Sequence, residues 1–598
     1  MAGSLLGVLA FLPNLFFDLD DPIGIPQEHP TLLPSYDFLI VGAGSSGCAV
    51  AGRLAQAGAT VLLLEAGTDG SKVTEVPAAV GATLGGSLDW QFLTTADNSS
   101  CLGMEDGQCL WHAGKVVGGG STVNGMLYVR GDREDYDAWE RAGNPGWGWD
   151  SVLPFFKLSE DQLSPAYARD KVHHSVGGPL PVGDVAFKTP LSDAFLQSGR
   201  EQGFPVRDIN TGNSSGFTFM QATIARGKRQ SSAKAFLRPA LATGRLTVLT
   251  QATVLRLLWD RRGPSPRARG VEVERRGRRL RFHANKEVVL SAGVVGSAKL
   301  LLLSGVGPRY DLAHLGIPLV RDLPVGQAIQ SHVGTGELVF TLEKPVSFNP
   351  LRLFANPLNL VAYLRGEGPL ASVSGFEGMA IYRSGLDPST SWPDIQLNLI
   401  SVTPGVDGGL VYRRSLNMGD QMFSKWSPLT LQEGFTILPV IVHPRSRGTI
   451  KLSSTNPALP PIINPNYFSD PLDMAVMLRA IKFSLALGLS PSFQQFGAKF
   501  YDRPLEFCGG LQTYSDAYWE CAVRYFTYPL YHDASSCPMG PAASGEAVVD
   551  AKLRVHGVRG LRVADASIMP NLVSGNTNAA CIMIGEKAAA MIRHDWNL

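Results

Sequence analysis

The segment from Tyr36 to Glu65, YDFLIVGAGSSGCAVAGRLAQAGATVLLLE, constrains the fold more than any other part of the chain. Phe38–Val41 is an apolar run of strand length, Ser46–Ala57 is rich in small helix-compatible residues, and Val61–Leu64 is a second apolar run. Strand, helix and strand within about 30 residues predict parallel pairing and a doubly wound α/β layer. Gly42, Gly44 and Gly47 fall in the turn as G-x-G-x-x-G. The first allows a tight turn, the second a close approach of backbone to a pyrophosphate, and the third close packing of helix on sheet. The helix N-terminus then offers free N–H groups to phosphate. Glu65 closes the second strand, where a carboxylate accepts ribose hydroxyls and repels a 2′-phosphate. The loop predicts a dinucleotide but leaves FAD and NAD open.

Two later segments repeat the strand-to-helix switch. Val288–Leu290 reads as a strand, SAGVVGS as a turn, and Ala298–Leu303 as a helix closed by Gly305. Leu561–Val563 reads as a strand, followed by ADASIMPNLVSGNTN and a helix from about Ala579 to Arg593. The dinucleotide-binding elements are therefore spread over 31–165, 226–335 and 531–598. Between them, 166–225 and 336–530 alternate short strands with proline turns and read as a second, substrate-binding domain. At 598 residues the chain exceeds one ordinary core. A formal net charge of +1 gives no reason to expect nucleic acid as a partner. The arginine-dense stretch Arg261–Arg281 has turn residues Gly263, Pro264 and Gly277, and reads as a solvated hairpin.

Residues 1–30 form an apolar segment, MAGSLLGVLAFLPNLFF, and a polar arm. The apolar part is too short to span a bilayer and looks like the core of a signal peptide. No later run is long enough for a membrane helix. Asn98 and Asn213 stand in N-S-S sequons. None of the seven cysteines has metal-ligand spacing. Cys101 and Cys109 flank one short polar loop and Cys508 and Cys521 another, so two local disulfides fit, against the alternative of seven free thiols. These features together predict a secreted glycoprotein.

The segment GKVVGGGSTVNGMLYVRGDREDYDAW, Gly114–Trp139, closely resembles the first signature of the glucose-methanol-choline (GMC) oxidoreductases. GVVGSAKLLLLSGVG, Gly293–Gly307, resembles the second, with departures at Val294 and Ala298. The resemblance extends from about Tyr36 to Ile592 and is nearest to the animal FAD-dependent glucose dehydrogenase-like branch, through CLGMEDGQCLW and YWECAVRYFT. It implies FAD as cofactor and an α+β architecture overall: a Rossmann-like FAD-binding domain and a substrate domain built on an antiparallel sheet. It further implies that Val117, Asn124, Gly125, Met126 and Leu127 line the flavin, that Val254 meets the adenine, and that Asp565 and Ala566 lie near the phosphates and ribityl chain. Ser45 and Ser46 in the glycine loop, and Tyr531 and Thr577 beside the catalytic pair, complete the expected cofactor contacts.

Oxidation of an alcohol removes a hydride from carbon and a proton from oxygen, and a histidine near neutrality suits the proton. The family's base is the histidine of a Tyr/Trp-His step, which here is Tyr531-His532 before DASSCPMG. Its partner, aligned through SGNTNAACIMIGEKAA, is Asn576. His332 falls where the family has a structural histidine. The family commonly has H-P-x-G-T at the base, whereas Asp533, Ser535 and Ser536 stand here. A missing glycine at 535 alters the turn aiming the imidazole, and Asp533, pointed at it, would stabilise an imidazolium. The expected function is FAD-dependent oxidation of a small alcohol, such as a sugar or sterol, with a quinone, another acceptor or oxygen taking the electrons. The altered run after His532 motivates an alternative, a catalytically silent, FAD-stabilised secreted binding protein. FAD is expected to be held non-covalently, since His112 lies two residues before Gly114, off the position where relatives attach flavin.

Overall fold

Strand β1 (Ser35–Val41), helix α1 (Ser45–Gln56) and strand β2 (Val61–Leu64) form the expected first unit, with β1 and β2 parallel and Phe38 opposite Val61. The structure is a computed structural model and describes residues 32–70, 72–354 and 356–598. The N-terminal apolar segment and arm, with the signal peptide expected there, lie outside the described residues. Strand β3 (Arg278–Leu290), helix α2 (Gly293–Leu303), strand β4 (Leu561–Val563) and helix α3 (Asn578–Trp596) supply the two later switches. The parallel layer runs Leu246–Leu249, β2, β1, β3, β4.

The short strand expected at Val288–Leu290 is the last part of a much longer one. The first half of β3 pairs antiparallel with Arg267–Arg275, which pairs in turn with Ala252–Asp260. That half alternates exposed and buried positions, so only the final apolar run announces a buried strand. The arginines belong to this meander, where buried Glu272 accepts hydrogen bonds from Arg256 and Arg281 at 3.1 Å each.

Helix α2 starts at Gly293, five residues before the expected Ala298. Asp565 causes the difference. Its carboxylate accepts from the Gly293 N–H at 3.0 Å and from the Ser297 hydroxyl at 2.6 Å, satisfying the first turn from a remote part of the chain. Helix α3 lies on α1 at close range. A Cβ on Gly585 would come within 2.6 Å of the Ser46 carbonyl, and Arg53 makes a two-pronged bond to buried Glu586 at 2.8 and 2.7 Å.

A second sheet is antiparallel throughout. Its strands run Lys499–Phe500, Val339–Thr341, Gly434–Ile441, Ile395–Ile400, Phe376–Tyr382 and Gly216–Phe219. Val333–Thr335, expected on the dinucleotide side, pairs in this sheet with Gly434–Ile441 and with Thr527–Pro529. Both disulfides are formed, Cys101–Cys109 and Cys508–Cys521. Cys48, Cys537 and Cys581 remain thiols. No described helix is long and apolar enough to cross a membrane.

Candidate active site

The pairing of Val333 with Pro529 brings His332 and His532 together. Gln330 and Ala534 then exchange backbone hydrogen bonds at 3.1 and 2.9 Å. Between these two pairs, Ser331 and His332 face four residues, Leu530 to Asp533. The surplus bulges inward, with Tyr531 at φ +61°, and both Tyr531 and His532 line a cavity of about 1640 Å³. His332 Nδ1 lies 3.0 Å from His532 Nδ1, and His532 Nε2 lies 3.1 Å from Asn576 Nδ2.

Protonation follows from these partners. The amide nitrogen of Asn576 is a donor only, so His532 Nε2 facing it accepts and the proton of His532 sits on Nδ1. His332 Nδ1 is then an acceptor, and His532 Nδ1 donates to it. His532 Nε2 is left with its lone pair on the Asn576 side. Burial lowers the His532 pKa to about 4. Burial, followed by the charge His532 would carry, drives His332 well below the ordinary imidazole value. The imidazole is thus held neutral, as a base must be.

The altered run after His532 keeps this geometry. Ser535 takes the left-handed conformation at φ +71° that a glycine would adopt freely. Its hydroxyl donates to the Met569 carbonyl at 2.7 Å and accepts from Gln330 Nε2 at 3.0 Å, which holds the turn. Asp533 does not point at the imidazole. Its polar neighbour is the Ser331 hydroxyl, and burial raises its carboxyl pKa to about 7.

The cavity also reaches Glu65 and Val254. At this size it exceeds the roughly 300–1,000 Å³ of a one-ligand pocket, so a dinucleotide and a substrate share it. The N-terminal ends of α1, α2 and α3 all open on it, through Gly44 to Ser46, Ala292 and Gly293, and Asn576 to Asn578. Three helix N-termini on one cavity suit a pyrophosphate. The loops leave no room for side chains. A Cβ on Gly42, which sits at φ +98°, would lie 2.4 Å from the Ser291 carbonyl. One on Gly119 would lie 2.6 Å from the Gly44 Cα. This backbone cradle and donor set fit FAD.

The other expected contacts vary in role. Glu65 takes the Ala43 and Gly67 N–H groups at 2.9 and 2.8 Å, and burial raises its pKa to about 7. Ser45 and Ser46 donate to Asn578 Oδ1 and the Cys581 carbonyl, both at 2.6 Å, and so tie the glycine loop to α3. Asn124, Gly125, Met126, Leu127, Asp565, Ala566 and Thr577 line the cavity. Val117 does not. It is fully buried behind the loop, with its N–H on the Thr68 carbonyl at 2.9 Å, and supports the loop by packing.

Several contributors were not legible in the sequence. Arg229 donates to Asn124 Oδ1 at 2.9 Å and to the Ser121 carbonyl at 3.1 Å, which fixes the first-signature loop. His112 meets Asp89 through Nδ1 at 2.5 Å and the Ser415 carbonyl through Nε2 at 2.7 Å. Both ring nitrogens are engaged, so neither is free to bond a flavin. Arg229 stands in the polar run GKRQSS and carries no local signal for this role.

GMC oxidoreductase family models match residues 36–334 and 444–585. The chain is 38% identical over 596 residues to glucose dehydrogenase [FAD, quinone] of Drosophila pseudoobscura pseudoobscura, covering 99% of this chain and 92% of that one. It is 36% identical over 574 residues to human mitochondrial choline dehydrogenase, covering 93% and 90%. Among solved structures, pyridoxine 4-oxidase from Mesorbium loti superposes with a TM-score of 0.77 at 29% identity, covering 93% of this chain and 99% of that one. A formate oxidase of Aspergillus oryzae superposes with a TM-score of 0.82 at 25% identity, covering 95% and 99%. Cradle, cavity and family matches agree: the chain belongs to the GMC oxidoreductases and is an FAD-dependent enzyme of that family.

Proposed function

We propose that this enzyme oxidises the CH–OH group of an alcohol with His532 as base and Asn576 as the group that holds the substrate oxygen. The single observation that carries this is the placement of His532 Nε2, 3.1 Å from the Asn576 amide nitrogen and on the cavity wall. A hydroxyl placed against both gives its proton to Nε2 while the Asn576 amide donates to the oxygen. FAD, when bound, supplies the acceptor for the hydride that leaves carbon. Gly42, Gly44, Glu65 and Asp565 would hold its dinucleotide and ribityl parts, and Asn124 to Leu127 its ring. The attachment is non-covalent, and acid precipitation should release the flavin into the supernatant. Flavin retained in the pellet would overturn that point.

We assign 31–165, 226–335 and 531–598 to FAD binding, apart from Val333–Thr335, which pairs in the antiparallel sheet, and 166–225 and 336–530 to the substrate side. The similarity to the Drosophila glucose dehydrogenase [FAD, quinone] supports a quinone as electron acceptor. Secretion is supported by the two disulfides and by exposed Asn98 and Asn213 in their sequons. The test of function is anaerobic mixing of the yellow holoenzyme with a panel of alcohols. Bleaching supports the assignment. Persistent flavin absorbance across the panel would instead favour the silent binding protein, for which the preserved geometry at Ser535 gives no reason.

A further inference from the structure

We infer that the substrate is a bulky, mainly hydrocarbon alcohol with one reacting hydroxyl and few other polar groups, and not a polyhydroxyl sugar. The inference rests on His532 and Asn576 marking the reaction centre. The wall built from the antiparallel-sheet side of the cavity presents Phe348, Phe376, Val411, Leu438 and Leu530, with Ala78 beside them.

The polar side chains on that wall are spent on the protein itself. The Ser374 hydroxyl donates to the Ala78 carbonyl at 2.9 Å, Thr430 to Ser427 at 2.7 Å and Ser415 to Tyr412 at 3.1 Å. Asp407 accepts the backbone N–H groups of Gly409, Val411 and Tyr412 at 2.9, 2.7 and 3.0 Å. The Asn398 carbonyl oxygen takes Gln396 Nε2 at 2.9 Å. Among the described side chains of that wall, the hydroxyls of Tyr412 and Tyr528 and the amide nitrogen of Asn398 are what remains for a ligand.

A hexose brings several hydroxyls besides the reacting one, each a donor and an acceptor. Each one buried without a partner lowers affinity by roughly tenfold or more. Three uncommitted groups do not meet that demand. A hydrocarbon body makes no such demand, and gains from every apolar contact along the wall.

The experiment uses the full-length FAD-loaded enzyme with 1-octanol, benzyl alcohol and glucose, and a soluble quinone as acceptor. In parallel, the flavin spectrum is titrated with unreactive counterparts: octanamide, benzamide and gluconolactone. We expect kcat/KM for octanol or benzyl alcohol to exceed that for glucose by at least about 100-fold. The two amides should shift the flavin spectrum at concentrations lower by a similar factor. If no alcohol is oxidised but the amides still bind preferentially, the catalytic assignment fails and this inference stands. Turnover of glucose at a comparable kcat/KM overturns the inference and leaves the catalytic assignment intact. So would equal binding of gluconolactone, or no spectral shift with any of the three.

Discussion

The Nδ1 atoms of His332 and His532 face each other at 3.0 Å at the edge of the cavity, a separation at which one ring donates to the other. The two rings stand edge to face, with centroids 5.1 Å apart and planes at 88°. His332 therefore acts through His532. It accepts the hydrogen bond from His532 Nδ1 and leaves Nε2 free for substrate.

The pair imposes a pH dependence on stability. In the unfolded chain an imidazole titrates near 6.5, roughly the ordinary value, whereas the folded His532 titrates at about 4. Between those limits the unfolded chain binds more protons. The contribution of His532 to stability is full above about pH 6.5 and is lost as pH falls toward 4. His532→Gln should therefore lose less Tm than the parent between pH 7 and pH 5. Calorimetry at the two values checks this, and identical slopes would show that His532 titrates normally.

Asp533 has the opposite sign. Its folded pKa of about 7 lies above the unfolded value near 3.9, so the native state binds more protons between them. Its contribution to stability declines as pH rises through that window. Asp533→Asn should gain in Tm relative to the parent on going from pH 5 to pH 8. A difference in Tm that stays constant with pH would mean an ordinary carboxylate.

In the chemistry, His532→Ala should slow flavin reduction by a substrate alcohol roughly 10²–10⁴-fold, the scale of a positioned base. Asn576→Ala should cost about fivefold, since a neutral hydrogen bond contributes about 1 kcal/mol. FAD content should survive both changes, because the glycine loops hold the dinucleotide. Anaerobic stopped-flow traces decide the matter, and a His532→Ala trace as fast as the parent's removes His532 from catalysis.

Gly119→Ala should abolish flavin loading. The added Cβ would lie 2.6 Å from the Gly44 Cα, at a backbone φ of +52°. Either the first-signature loop or the dinucleotide loop must move. The measurement is the ratio of flavin absorbance to protein absorbance after purification, and a normal ratio would show that the loops part without loss.

Replacing Cys508 and Cys521 by Ser opens a loop with a sequence separation of 13. Loss of that closure should destabilise the protein by about 2–3 kcal/mol. Denaturant unfolding of the double variant measures it. Peptide mapping without reduction should recover both cross-linked pairs, Cys101–Cys109 and Cys508–Cys521, from the parent.

The sequence by itself determined the dinucleotide unit, because its signals are local. Apolar runs separated by G-x-G-x-x-G specify β1, α1 and β2 within one segment, and β2 and β4 fall on the residues their apolar runs mark. The resemblance to the family signatures marked His532 and Asn576, which the fold brings to 3.1 Å. Tertiary structure decided what depends on partners remote in sequence. Asp565 starts α2 at Gly293, and solvent-facing alternation hides the first half of β3. Gly119 has its meaning from Gly44, and Val117 serves from behind the loop instead of lining the cavity. His332, structural by its sequence position, meets His532 because Val333 pairs with Pro529 and the surplus residues after Pro529 bulge inward. Hydrogen-bond partners and burial set protonation, and neither exists until the two sheets close around the cavity.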